Sequence, residues 1–174
     1  MISLGSMPPT QGPSTAGSYS DEPPLVLDWG LGFERSATSL ACAYWRSRCG
    51  THKMPTRSDL DPVSMRKFAS HIGLVEIRQA DAPSPYFIRL AGSAWEQGYG
   101  RMSGRFIHEF LPANVLPSWR TVFDSVTQAV APLRVGTVVH FQEKRWLTAE
   151  LFVAPLGAQS VSMLFLAFDA WARV

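Results

Sequence analysis

Residues 86–111 read YFIRLAGSAWEQGYGRMSGRFIHEFL, and this stretch decides the fold. It opens with a short apolar run, Tyr86 to Ala91, that Gly92 stops. Segments punctuated by Gly98, Gly100 and Gly104 follow, with Trp95, Tyr99, Phe106 and Phe110 between them. Glycine permits positive φ and close backbone approach, so the pattern predicts a strand feeding a series of single-turn helices. Such a segment folds over one face of a sheet and encloses a small apolar space.

Working outward, the same reading extends in both directions. Upstream, Ile72 to Arg78 predicts a first strand, joined to the second by a hairpin loop over Ala80 to Pro85, whose Asp and Pro are turn residues. Downstream, Asn114 is placed to cap a long helix ending before Pro132, with Pro117 tolerated in its first turn. Leu116, Trp119, Phe123, Val126 and Val130 form its buried stripe. Three strands close the chain at 133–141, 145–155 and 160–171, with turns at 142–144 and 157–159. In the last of these, Leu164, Leu166 and Phe168 oppose Met163, Phe165 and Ala167. A strand apolar on both faces needs cover on both.

The helix predicted from a Ser36 cap to Cys49, stopped by Gly50, is one source of that cover. Ala37, Leu40, Ala41, Tyr44 and Trp45 form its apolar stripe. A partner subunit is the other. Asp61-Pro62 then starts a short helix with Met65, Phe68 and Ala69 inward. Residues 1–24, rich in Pro, Gly, Ser and Thr, read as a disordered tail. Residues 25–60 read as a linker plus the amphipathic helix, and 61–174 as the main domain. The fold class is α+β: a five-stranded antiparallel sheet with short helices and one long helix on one face.

Composition narrows the function. The 174 residues carry a net charge of +2, 46% hydrophobic and 17% charged residues, which suits a globular domain and calls for neither nucleic acid nor an anionic membrane. No run approaches the roughly 20 apolar residues of a membrane span. Cys42 and Cys49, on one helix, stand roughly 10 Å apart along its axis, too far for a disulfide. A reducing cytoplasm is therefore the expected location.

Four groups of residues carry a resemblance. They are Ala43-Tyr44-Trp45-Arg46; Met54-Pro55-x-Arg57-x-Asp59-Leu60-Asp61-Pro62; Tyr86-Phe87-Ile88-Arg89-Leu90-Ala91-Gly92; and Gly100-Arg101-Met102-Ser103-Gly104-Arg105. The last three are similar to runs written MPxRxDxDP, YRLVGT and GRDLTGR. The chain resembles a PAS domain, and within that class the PAS-like family found mainly in alphaproteobacteria. It departs from the pattern at Ala91 and Met102. The resemblance covers about Ser36 to Trp171. It implies a stand-alone sensory or interaction module in bacterial signalling, with no kinase, cyclase or DNA-binding segment in the remaining residues. It names no ligand and no cofactor.

In that arrangement Tyr86, Trp95, Tyr99, Phe106, Trp119 and Phe123 are candidates to line a pocket. Arg89 and His140 are its candidate polar groups, Arg89 being suited to grip a carboxylate or phosphate. Leu40, Tyr44, Trp45, Arg46, Arg48 and Arg57 are interface candidates for a homodimer or a protein partner. Between Arg46 and Lys67 six basic residues face only Asp59 and Asp61, a docking surface for an acidic partner or a phosphate-bearing nucleotide. No recognition helix or interleaved aromatics accompany it, which excludes sequence-specific DNA binding. His52, His71, His108 and His140 show no metal-ligand spacing. The short-helix region has no cysteine for a flavin adduct. Glu109 and Glu150 are the only residues singled out as general bases, and nothing pairs either with a partner. A non-catalytic module is expected.

Overall fold

The computed structural model describes residues 24–79, 81–141 and 145–172. The expected tail thus lies outside the described residues except for Pro24, as does the turn at 142–144.

Within the described residues seven strands form one sheet: β1 (Val26–Asp28), β2 (Ile72–Ile77), β3 (Tyr86–Ala91), β4 (Arg105–Phe106), β5 (Leu133–Phe141), β6 (Arg145–Leu156) and β7 (Met163–Trp171). Their order across the sheet is β1-β5-β6-β7-β2-β3-β4, and every pair is antiparallel. The five expected strands are the central five. The two additions are short edge pieces, and β1 falls in residues read from sequence as a linker. Among the described residues four α-helices accompany the sheet: α1 (Ser36–Cys49), α2 (Pro62–Met65), α3 (Ser93–Tyr99) and α4 (Leu116–Ala129).

Two cores flank the sheet because β6 and β7 are apolar on alternate faces. Leu164, Leu166 and Phe168 join Trp95, Trp119, Val122, Phe123 and Val126 on the inner face, under α3 and α4. Phe152, Ala154, Phe165 and Ala167 join Ala41, Tyr44, Trp45, Met65 and Phe68 on the outer face, under α1 and α2. The cover that the two-faced strands demand is α1 itself.

The buried side of α1 is rotated from the expected stripe. Ala37, Thr38, Ala41, Cys42, Tyr44 and Trp45 are buried, whereas Leu40 is 49% exposed. Ser36 is the first helical residue, not the cap. The helix start is instead held by a carboxylate from β6: the amides of Glu34 and Arg35 donate to Glu150 at 2.9 and 3.0 Å. Asp61 does cap α2, accepting from the amides of Val63 and Ser64.

Candidate functional site

The Gly-punctuated segment differs from the expected string of single turns. Ser93–Tyr99 is a continuous α-helix with Gly98 inside it. A Cβ at position 98 would sit 3.1 Å from Cζ of Phe168, so the glycine lets α3 lie close on β7. Gly100, at φ 76°, then ends the helix in a conformation side chains resist. Arg105–Phe106 forms β4, and Ile107–Glu109 is a single 3₁₀ turn in which the Phe106 amide donates to Glu109 at 2.5 Å.

This path, with α4, leaves a cavity of about 380 Å³ against the inner sheet face. Gly98 and Tyr99 of α3, then Leu111, Pro112, Asn114 and Val115 of the connection, form one side. Ser118, Trp119, Val122 and Phe123 of α4 form the roof. Val135, Thr137, Val138 and Val139 of β5 and Leu151 of β6 form the floor, and Leu25, just before β1, closes one edge. The volume falls in the range of small-molecule sites. No charged side chain is among these described lining residues. Burial pushes the Tyr99 hydroxyl pKa up, keeping it neutral.

Of the pocket residues read from sequence, Tyr99, Trp119 and Phe123 line the cavity. Trp95, Tyr86, Phe106 and Arg89 stand elsewhere. Trp95 is behind the wall, 1% exposed, its ring 4.8 Å from Phe168 and its Nε1 donating to the His71 carbonyl at 2.8 Å. It is a core aromatic that backs the lining. Tyr86 packs edge-on against Phe123 with ring centroids 5.0 Å apart and donates its hydroxyl to Asp124, fastening α4 to β3. Phe106 is sandwiched between Phe87 and His108 at the sheet edge. Arg89, expected as a polar pocket group, faces solvent on β3 with its side chain 63% exposed, 3.6 Å from Glu76. The β3 alternation puts Ile88 in and Arg89 out. His140 lies on β5, and its side chain lies outside the described residues.

The floor of β5 and the Leu111–Val115 connection went unread as site residues. Their signal is ordinary core valine and leucine, which looks the same whether it packs against a neighbour or borders a void.

The interface candidates also divide. Trp45 is 3% exposed and donates Nε1 to the Pro155 carbonyl at 2.9 Å. The Tyr44 oxygen accepts from the Asp61 amide at 2.6 Å, and its ring contacts Phe68 and Phe165. Both are committed to the chain's own outer core, as the apolar stripe of the helix implied, and not to an interface with a partner. Arg48 stacks on Tyr44 and donates to Ser64 at 3.2 Å, while Leu40, Arg46 and Arg57 are exposed.

Beyond the cavity, Glu150 anchors a buried polar cluster on the outer face. Besides the two amides, it accepts from Thr38 Oγ1 and from Arg134 Nε, the latter at 2.7 Å. Arg134 also approaches Glu34 at 3.2 Å and Asp28 at 3.9 Å, and Arg35 pairs with Asp169 at 2.8 Å. Burial pushes the Glu150 carboxyl pKa up, but the bonds from Thr38, Glu34, Arg134 and Arg35 outweigh it, and the net position is below the ordinary value. Among the described residues no group of His, Cys, Asp or Glu is arranged to hold a metal, and no helix is long and apolar enough to cross a membrane.

Comparison with known proteins gives a family and a distant structural likeness. A family model described as PAS domain matches residues 33–166. The solved structure of an RNA-binding light-oxygen-voltage receptor is similar at a TM-score of 0.46 and 15% identity, over 63% of this chain and 33% of that one. This chain thus spans about a third of the receptor's length. A comparison with curated proteins finds no match. With the family match running over most of the described residues, from just before α1 into β7, the chain belongs to the PAS domain family.

Proposed function

We propose that this PAS domain is a sensory module that binds a small molecule in the cavity between α4 and the floor formed by β5 and β6. The observation that carries the reading is the cavity itself: about 380 Å³ bordered by side chains of the inner core. A folded domain gains from filling such a space, because voids forfeit dispersion contacts. The roof helix is also the element fastened to β3 through Tyr86 and Asp124, so an occupant bears directly on it.

The two acidic residues singled out as bases support a non-catalytic reading. Glu150 is saturated by its four donors on the outer face, and Glu109 caps the Phe106 amide. The free thiols of Cys42 and Cys49 suit a reducing compartment.

A thermal-shift screen of small molecules tests the proposal. A ligand present at a hundredfold excess over its Kd stabilises by about 2.7 kcal/mol, a rise of roughly 5–10 °C for a chain of this size. The expected result is a saturable rise with at least one compound. A flat response across a chemically diverse set contradicts the reading.

A second reading, a homodimer formed through α1, is favoured by the exposure of Leu40 and Ala43, one turn apart on that helix. Sedimentation of the purified protein tests it.

A further inference from the structure

The chemistry of the cavity wall restricts what it accepts. Its floor and roof are apolar side chains, among them Val135, Val139 and Leu151 below and Trp119, Val122 and Phe123 above. Among the described lining residues its polar groups, on Tyr99, Asn114, Ser118 and Thr137, are all neutral. Among the described side chains, four arginines are committed elsewhere. Arg134 is on the opposite face of the sheet with Glu150. Arg120 donates to the Pro83 carbonyl, and Arg105 to the carbonyls of Arg101 and Glu109. Arg89 faces solvent beside Glu76.

We propose that the ligand of this cavity is an uncharged, predominantly apolar molecule, and that the site discriminates against anions of the same shape. The proposal rests on the small-molecule reading above. A carboxylate or phosphate entering this space would lose its hydration with no cation among the described lining residues to replace it, whereas a neutral molecule gains from burying apolar surface. The neutral hydroxyls of Tyr99 and Thr137 in the wall suit a ligand with one or two neutral polar atoms that set its orientation.

A matched pair of probes tests this: 2-naphthalenemethanol and 2-naphthoate, titrated calorimetrically at pH 7.5 against the full chain. The alcohol is expected to bind with a Kd on the order of a hundredfold lower than the carboxylate. Val122→Phe, which fills the cavity from the roof, should abolish the alcohol's binding. If that variant fails to fold by circular dichroism, Thr137→Phe fills it from the floor. Binding of the naphthoate as tight as the alcohol's, lost in the filled variant, overturns the ligand class and leaves the sensory reading standing. If neither probe binds, the compounds that stabilise in the thermal screen decide. Neutral apolar stabilisers uphold the proposal, charged ones overturn it alone, and an empty screen overturns it together with the sensory reading.

Discussion

At the scale of single residues, Glu150 shows how a buried charge is made tolerable. Its carboxylate is 0% exposed yet receives donors from Glu34, Arg35, Thr38 and Arg134. Removing it leaves Arg134, its side chain only 11% exposed, without its buried partner. Glu150→Ala should therefore cost about 3–5 kcal/mol in urea unfolding. The pH dependence follows from the depressed pKa. The carboxylate's contribution is fully present above the ordinary carboxylate range and is lost as pH falls through it towards the lower folded value. Glu150→Gln should accordingly lose the part of the acid-induced destabilisation that sets in below about pH 4.3. An unchanged acid profile would show that Glu150 is not the linked group. Read as sequence, this residue could only be a candidate base, because its partners at 34, 35 and 38 lie more than a hundred positions away. Arg89 was misplaced for a related reason: strand alternation says that one of two neighbours faces in, and the sheet's layers decide which.

At the scale of elements, the two helices that flank the sheet do different jobs. On the outer face α1 is packing: Trp45 and Tyr44 fill the core and bond to Pro155 and Asp61. Trp45→Ala should cost about 3–5 kcal/mol by denaturant titration. A loss under 1 kcal/mol would mean that α1 is only loosely docked. On the inner face α4 is the cavity roof, fastened to β3 through the Tyr86 hydroxyl. Tyr86→Phe should lower stability by about 1–3 kcal/mol, the cost of leaving the Asp124 carboxylate without that donor. The central strands and the need for a covered second face were legible, because period-two apolarity on both faces of 163–168 has no other solution. The edge strands β1 and β4 were not, since three and two residues carry no periodic signal. The short motifs that carry the family resemblance at 44–46 and 54–62 lie in and beside the outer core, away from the cavity. They reveal the scaffold and are silent on the ligand.

At the scale of the whole molecule, stability and assembly should separate cleanly on α1. Leu40→Glu, on the exposed side, should change stability by less than about 0.5 kcal/mol and dissociate a dimer formed through this helix. Trp45→Glu, on the buried side, should unfold the domain. Sedimentation velocity with circular dichroism distinguishes the two, and a Leu40→Glu protein that sediments unchanged removes α1 from any interface. If the proposed sensory role holds, the inner core is built to hold a small molecule. Native mass spectrometry of freshly purified protein, compared with its denatured mass, tests it most directly. The expected result is a small adduct on the native chain that is released on denaturation and absent from Val122→Phe. A native adduct of unchanged abundance in the filled variant would contradict it, placing the molecule somewhere other than beneath α4.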